Sequence, residues 1–326
     1  MLCRITWLAP VGLFSLLTGT AYTQTAGFGV PISGFVYSPA FRAIQPLFGV
    51  PGSTYAGRSV LRGLDRASVA PGGHWAFIVK SRSGEFVSGL AEDSPAPVSV
   101  SGLIEGADRA VWSRDGSYAL VYSSSGQQLQ RVLFTAATPS ADPPLDLSPW
   151  GQLKNLAIDP TGQKMAFSVW GSGVYFFNAG QSPLLISSMS KPAAIAFDDT
   201  GSILYAADLD QQQIVRFDSS GTPAVFASLA QADGSVIQPV ALAVSGAGRY
   251  LLLADQSGQA VRVYEIASGS LANTIALDFP PTRLEALSSG PSFVLNGSNP
   301  KEYLLILDAR QNPGVYFVPA SQEIRK

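Results

Sequence analysis

Apolar residues alternate with polar or small residues along short segments of this chain, and one such arrangement recurs six times. Each copy begins with an apolar strand, continues through a tight turn that contains glycine, and ends with a second apolar strand. The copies occupy residues 67–79, 110–122, 156–168, 195–207, 242–254 and 284–295. A period of two residues is typical of half-buried β-strands, so the pattern predicts an all-β chain.

Two more strands follow most of these pairs. Third strands such as 173–177 and 260–264 are apolar, whereas fourth strands such as 223–227 and 273–277 are more polar. The turn glycines recur every 39 to 47 residues, at positions 73, 116, 162, 201, 248 and 290. A repeat of this length made of strands alone is typical of a β-propeller, in which four-stranded antiparallel blades surround a central channel.

The number of blades depends on the N-terminal strands. Residues 32–38 and 43–50 form another apolar pair, which matches the third and fourth strands of a repeat. Because open sheet edges invite aggregation, the ring is expected to close. We expect this hairpin to complete a blade whose inner strands come from C-terminal residues around 293–317. The arrangement predicts seven blades, and six blades with an N-terminal clasp are the alternative.

Two of the turn segments also resemble known repeats. Residues 112–118 (Trp-Ser-Arg-Asp-Gly-Ser-Tyr) and 158–162 (Ile-Asp-Pro-Thr-Gly) are similar to the repeats of WD-repeat-like, TolB-like and NHL-type β-propellers. The resemblance extends over residues 30–320. It implies a protein that acts as a binding platform more often than as an enzyme.

The N-terminal residues have the pattern of a secretory signal peptide. Arg4 is followed by an apolar run at 5–17 and by small residues at 18–26. We therefore expect residues 1–26 to be a signal peptide cleaved between 21 and 26, and residues 27–326 to form a single secreted or periplasmic propeller domain. Cleavage would remove Cys3, the only cysteine of the chain.

The charge of the chain narrows the classes of partner. The net charge is −2 and charged residues make up 13% of the sequence, without basic or acidic runs. This composition argues against nucleic acid and anionic membrane surfaces as partners, and no membrane span is expected once the signal is removed. A protein or a small ligand is the expected partner of a monomeric chain, and no cofactor is expected.

Few residues have the types and spacing that catalysis or metal binding requires. The only histidine, His74, follows a turn and is expected to be exposed to solvent. Asp208 and Asp210 lie in a turn between two strands and are candidate Ca²⁺ ligands through their oxygens. Hydrogen bonding within the turn is the alternative role of these two aspartates.

Comparison of equivalent positions in the repeats indicates a candidate ligand site. Three residues before the end of the first apolar strand, four of the six copies have a polar residue, namely Arg66, Arg109, Asn155 and Arg283, whereas the other two have Ala194 and Ala241. First strands of a propeller line its channel, so these side chains are expected to surround the channel mouth, where arginines could bind an anionic group. The alternative is that each arginine pairs with an aspartate of its own or a neighbouring blade.

These observations predict an exported, non-enzymatic propeller that binds a protein or a small ligand on the face that carries these residues. The alternative is a carboxylate-dependent hydrolase, similar to a lactonase or a glycosidase, on the same scaffold. The enzyme hypothesis requires carboxylates at the channel mouth, whereas the binding hypothesis requires an apolar or arginine-lined concavity there. The fold alone cannot distinguish the two.

Overall fold

The computed structural model describes residues 31–92, 94–134, 138–218, 222–245, 248–296, 304–309 and 312–319. The predicted signal peptide, residues 1–26, lies outside the described residues. All regular secondary structure within these ranges is β-strand. No helix in this part of the chain has the length and hydrophobicity needed to cross a membrane.

The strands form seven antiparallel sheets, the blades, which follow one another along the chain. Blade 1 contains β1 (Ile32–Ser38), β2 (Ala43–Phe48), β3 (Tyr55–Ala56) and β4 (Leu61–Arg62). Blade 2 contains β5 (Arg66–Val69), β6 (Trp75–Lys80), β7 (Ser83–Ser88) and β8 (Ala96–Val98). Blade 3 contains β9 (Arg109–Trp112), β10 (Tyr118–Ser123), β11 (Gln128–Leu133) and two outer segments, β12 (Ser140–Ala141) and β13 (Leu145–Asp146).

The remaining blades each have four strands in simple order. Blade 4 contains β14 (Asn155–Ile158), β15 (Lys164–Val169), β16 (Gly173–Asn178) and β17 (Leu184–Ser188). Blade 5 contains β18 (Pro192–Phe197), β19 (Leu204–Asp208), β20 (Gln213–Phe217) and β21 (Pro223–Ser228). Blade 6 contains β22 (Pro239–Ser245), β23 (Tyr250–Asp255), β24 (Ala260–Glu265) and β25 (Leu271–Ala276). Blade 7 contains β26 (Glu285–Ala286), β27 (Ser292–Val294), β28 (Leu304–Asp308) and β29 (Gly314–Val318). The predicted seven-bladed propeller of four-stranded antiparallel blades is confirmed.

The apolar core is divided into clusters, and each cluster of described residues lies between two neighbouring blades. Strand β10 shows how the sequence pattern produces this arrangement. Leu120 and Tyr122 pack in the cluster shared with blade 4, whereas Ala119 and Val121 pack in the cluster shared with blade 2. Because successive side chains of a strand point to opposite faces, alternation buries both faces of a blade.

The repeated turn glycine is required where two blades meet. Gly162, in the first turn of blade 4, has a φ of 67°, and a Cβ at this position would overlap the ring of Tyr118 in blade 3. The carbonyl oxygen of Gly162 accepts a hydrogen bond of 2.6 Å from Nη1 of Arg131 in blade 3. Similarly, Nζ of Lys164 in blade 4 donates to the carbonyl oxygen of Gly201 in blade 5 at 2.7 Å. Hydrogen bonds to turn carbonyls thus connect these neighbouring blades.

Blade 1 differs from the sequence prediction in its place in the ring. The hairpin β1–β2 was expected to complete the C-terminal blade, and this expectation is wrong because β26–β29 already supply that blade with four strands. The hairpin forms a separate sheet between blades 7 and 2. Val36 and Leu47 pack with Leu287 of blade 7, whereas Phe35 packs with residues of blade 2, so burial on both faces closes the ring.

The first strands of blades 2 to 7 surround a central channel with a volume of about 240 Å³. We call the end where these strands begin the mouth, and the end at their first turns the base. The described residues that line the channel are mainly apolar, and Arg114 and Glu285 are the charged ones among them.

Arg114, in the first turn of blade 3, crosses the base of the channel. Its Nη1 donates to the carbonyl oxygen of Val244 in blade 6, and its Nη2 donates to that of Gly290 in blade 7, both at 2.9 Å. Nη1 also lies 3.6 Å from Oδ1 of Asp199 in blade 5. Burial lowers the pKa of the Arg114 guanidinium, and the Asp199 carboxylate opposes this effect. One side chain therefore links four blades.

Replacement of Arg114 is expected to destabilise the ring. Arg114→Met should lower the free energy of unfolding by about 3 kcal/mol, since hydrogen bonds to a charged group contribute about 1.5–3 kcal/mol and two blade carbonyls lose their donor. Denaturant titration followed by circular dichroism measures the change. Arg58→Met is the control, because Arg58 is exposed, and it should change stability by less than about 0.5 kcal/mol. Equal stability of the two variants would contradict the role given to Arg114.

Tyr205, buried between blades 5 and 6, leads to a second expectation. Its hydroxyl has no hydrogen-bond partner among the described residues, and burial raises its pKa above the ordinary value of 10.0. Tyr205→Phe should therefore increase the free energy of unfolding by about 1 kcal/mol, since an unsatisfied buried hydroxyl is lost.

The effect of Tyr205→Phe should also depend on pH. Because the folded pKa of Tyr205 is raised, ionisation of this group does not affect the stability of the wild-type chain below pH 10. As the pH rises above 10 and through the folded value, ionisation favours the unfolded chain, and the wild type loses stability. The advantage of the variant should therefore grow above pH 10, as measured by thermal unfolding between pH 8 and 11. Tyr37→Phe is the contrasting control, since the Tyr37 hydroxyl is hydrogen-bonded to the backbone and its loss should lower stability. A destabilised Tyr205→Phe variant would show that its hydroxyl does have a partner.

Candidate functional site

The four residues that the repeats predict as a ligand site lie at the channel mouth. Arg66, Arg109 and Asn155 are the first residues of β5, β9 and β14, and Arg283 lies two residues before β26. The structure shows that their surroundings differ. Two of them, Arg66 and Arg283, lie on either side of blade 1.

Arg283 and Glu285 form an ion pair at the mouth. Nη1 of Arg283 lies 3.2 Å from Oε2 of Glu285. Nη2 of Arg283 donates to the carbonyl oxygens of Tyr37 at 3.1 Å and Asn296 at 2.9 Å. The Arg283 side chain is 16% exposed and that of Glu285 is 50% exposed. The guanidinium is therefore fixed by the protein, whereas the carboxylate remains accessible from the channel.

Tyr37, at the end of β1, lies between the charged groups of blades 7 and 2. Its hydroxyl donates to the carbonyl oxygen of Asp65 at 2.9 Å. Burial raises the pKa of Tyr37; the positive charges of Arg42, Arg283 and Arg66 oppose this effect, and the negative charge of Asp65 adds to it. Tyr37 thus remains protonated at neutral pH and holds the backbone that precedes Arg66.

Arg66, the first residue of β5, is an accessible cation at the mouth. Its side chain is exposed and makes no hydrogen bond or ion pair with any residue that the structure describes. The adjacent Asp65 has its own partners, since it forms an ion pair with Arg42 and its Oδ2 accepts a hydrogen bond of 2.8 Å from the backbone N–H of Ser81. Arg66 therefore keeps its full hydrogen-bonding capacity for a ligand.

Arg109 and Asn155 connect neighbouring blades instead. Nη1 of Arg109 donates to the carbonyl oxygen of Lys154 at 3.1 Å, which links blade 3 to the start of blade 4. Nδ2 of Asn155 donates to the carbonyl oxygen of Ala193 at 3.0 Å, which links blade 4 to blade 5. The partners are backbone carbonyls rather than the aspartates that the alternative hypothesis named. Binding of a ligand by these two residues stays a prediction.

Of the two candidate Ca²⁺ ligands, Asp208 has a partner within its turn, whereas Asp210 contacts the segment that precedes β18. Oδ1 of Asp208, a buried residue, accepts a hydrogen bond of 3.0 Å from the backbone N–H of Asp210. Oδ1 of Asp210 lies 3.5 Å from Nζ of Lys191. A hydrogen bond from Ser190 lowers the pKa of Asp210. In the described part of the chain no three His, Cys, Asp or Glu side chains form a group able to hold a metal ion.

Sequence comparison found Arg66 and Arg283 but missed Tyr37, Glu285 and Arg42. Glu285 could have been found, because it lies two residues after Arg283 and so points to the same side of the first strand. The equivalent residues of the other blades are uncharged, namely Ser68, Val111, Ala157, Ala196 and Ala243. Tyr37 and Arg42 gave no such signal, since they belong to the hairpin whose place in the ring was predicted wrongly.

We call Tyr37, Arg42, Asp65, Arg66, Arg283 and Glu285 the seam cluster, because it lies where blade 1 joins blades 7 and 2. Its three arginines and two carboxylates give it a net positive charge. Chemically, the cluster combines an accessible carboxylate, able to accept a proton from water, with an accessible guanidinium, able to stabilise negative charge on oxygen.

A family profile matches part of the chain. The family is described as lactonase, 7-bladed β-propeller, and the match covers residues 179–281, which include blades 5 and 6. None of the curated proteins compared with the chain matches it.

Several solved structures are similar to this propeller. A candidate 6-phosphogluconolactonase from Bacteroides uniformis has a TM-score of 0.54 at 17% identity, over 76% of this chain and 82% of that one. A functionally unknown protein from Desulfotomaculum acetoxidans has a TM-score of 0.59 at 12% identity, over 88% and 99%. Kuenenia stuttgartiensis hydrazine synthase has a TM-score of 0.55 at 13% identity, over 93% and 100%. At these identities the likeness concerns the fold.

The comparisons correct the prediction of a non-enzymatic binding module. The lactonase family match and the 6-phosphogluconolactonase-like neighbour contradict it and favour the alternative, a lactonase-like hydrolase. The resemblance to WD-repeat-like, TolB-like and NHL-type repeats is supported only at the level of the superfamily. The described part of the chain has the fold of a seven-bladed β-propeller.

Proposed function

We propose that this protein is a lactonase-like hydrolase that opens a cyclic ester at the mouth of its channel. The observation that carries the proposal is the Arg283–Glu285 pair, in which a fixed guanidinium orients a half-exposed carboxylate toward the channel. The match of residues 179–281 to the lactonase propeller family supports the choice of reaction. The resemblance of the repeats to WD-repeat-like, TolB-like and NHL-type propellers indicates no particular reaction.

In the proposed reaction Glu285 is the general base. Its carboxylate takes a proton from a water molecule, and the water oxygen bonds to the carbonyl carbon of the lactone. Arg66 stabilises the negative charge that develops on the carbonyl oxygen. The bond between the carbonyl carbon and the ring oxygen then breaks, and the ring oxygen takes the proton back from Glu285. The product is an open-chain hydroxy acid.

The other members of the seam cluster position these two groups. Arg283 holds the Glu285 carboxylate, and the backbone carbonyls of Tyr37 and Asn296 hold Arg283. The Tyr37 hydroxyl holds the backbone at Asp65, directly before Arg66. Because the contacts of Arg283 are made by the protein itself, the Glu285 carboxylate is positioned before the substrate binds, whereas the exposed Arg66 side chain takes its position when the substrate binds.

Glu285→Gln is expected to lower kcat for lactone hydrolysis by about 10²- to 10⁴-fold, since an amide cannot accept the proton from water. The measurement is acid release from a panel of γ- and δ-lactones, followed with a pH indicator. Glu85→Gln is the matched control, because Glu85 lies on β7, away from the channel, and it should keep wild-type activity. Arg66→Ala should lower kcat/KM without loss of stability, because the Arg66 side chain makes no hydrogen bond or ion pair with the described residues.

Two results would contradict this assignment. One is that the wild-type protein hydrolyses none of the lactones faster than the uncatalysed reaction does. The other is full activity of Glu285→Gln, which would place the base elsewhere even if the protein were a lactonase.

We propose in addition that the enzyme acts outside the cytoplasm, in a secreted or periplasmic form. The support is the N-terminal pattern, in which Arg4 precedes an apolar run and small residues. Mass spectrometry of the protein recovered from the exported fraction should give a mature N-terminus between residues 22 and 27. The control is a chain with Leu13→Arg, which interrupts the apolar run and should keep the uncleaved protein inside the cell. Recovery of the intact N-terminus from the exported fraction would contradict cleavage.

A further inference from the structure

A second cavity lies between blades 3 and 4, near their outer strands, and is separate from the channel. Its volume is about 560 Å³, within the range of small-molecule sites in proteins. The outer strand of blade 3 is interrupted at this point, because Pro143 and Pro144 separate β12 from β13. Proline has no N–H to donate, so it cannot continue the strand ladder. The interruption opens the side of the blade.

The walls of the cavity are mainly apolar. Leu120, Leu129, Met165 and Phe177 line it, and all four belong to the buried cluster shared by blades 3 and 4. The cavity therefore reaches the edge of an apolar core rather than lying on a polar surface. A ligand that fills it would remove apolar surface from water, which contributes about 25 cal/mol per Å².

The polar side chains that line this cavity are those of Arg131, Asp142, Gln181 and Ser182. The guanidinium of Arg131 is the least exposed of them. Its Nε lies 2.7 Å from Oδ2 of Asp142, and its Nη1 donates to the carbonyl oxygen of Gly162 at 2.6 Å. Nη2 makes no hydrogen bond with any residue in the described ranges, and Arg131 and Asp142 both line the cavity. Because Asp142 already balances the charge of Arg131, an additional anion would gain little, whereas a neutral acceptor can use the remaining N–H groups.

We propose that this cavity binds an uncharged, largely apolar small molecule with a carbonyl oxygen that accepts a hydrogen bond from Nη2 of Arg131. The site is independent of the lactone site, since the seam cluster belongs to blades 7, 1 and 2. Its specificity follows from the apolar walls and from the N–H groups of Nη2 of Arg131, which no described residue uses. Small-molecule sites typically combine these features.

The experiment uses Nile red, an uncharged fluorescent dye with one carbonyl group, and the full-length protein. Dye fluorescence should rise with protein concentration to saturation at one dye per chain. Ala179→Trp places an indole in the cavity, because Ala179 lines it, and should weaken binding at least 10-fold. Ala224→Trp is the matched control, since Ala224 is exposed on β21 of blade 5, and it should bind the dye as the wild type does.

The contribution of the hydrogen bond is tested separately. Arg131→Lys keeps the positive charge but lacks Nη2, and it should weaken dye binding about 10-fold. Ser182→Trp, which fills the same cavity from an exposed position, replaces Ala179→Trp if that variant fails to fold by circular dichroism. Absence of saturable binding to the wild type, or unchanged affinity in a folded cavity-filling variant, would overturn the proposal. Lactone hydrolysis should be unchanged in all these variants, so failure of one proposal does not affect the other.

Discussion

The burial of apolar side chains between neighbouring blades is the constraint on which the whole structure depends. A β-sheet has two faces, and in this chain both faces of a blade are apolar, as Leu120 and Ala119 show on opposite sides of β10. A single blade therefore cannot be stable in water, and each blade needs a neighbour on either side. A ring meets this requirement for every blade at once. Burial favours contact between the blades, and the hydrogen bonds from Arg131 and Lys164 to turn carbonyls fix the relative position of the blades in contact.

Much of this fold could be predicted from the sequence, because the signals are local. Alternation indicates strands, and glycine at positions such as 162 follows from a positive φ and from the ring of Tyr118 packed against it. The position of the β1–β2 hairpin could not be predicted in the same way. An apolar hairpin fits equally well as inner or outer strands, and its place is decided by contacts with Leu287, which is 250 residues away in the chain.

The candidate site was predictable only in part, for a related reason. Arg66 and Arg283 occupy equivalent positions in a repeat, so comparison of the repeats identified them. Comparison did not show that the side chains of Arg109 and Asn155 donate hydrogen bonds to the backbone of the next blade. It also did not show that the Arg66 side chain, at the same position, makes no such bond with the described residues. The difference arises where blade 1 lies between blades 7 and 2. Most polar groups at this junction hold blade 1 to its neighbours, and the exposed Arg66 side chain and the half-exposed Glu285 carboxylate are the groups that remain accessible.

The contacts of Arg114 also determine how molecules can move through the protein. A propeller channel that is open at both ends is a pore, but this channel has a guanidinium across its base, held by blades on several sides. It is therefore a blind well. A molecule that reaches Glu285 from the mouth must leave by the same opening. For the hydrolysis proposed above, release of the product through this opening would set an upper limit on turnover, whatever the speed of the chemical step.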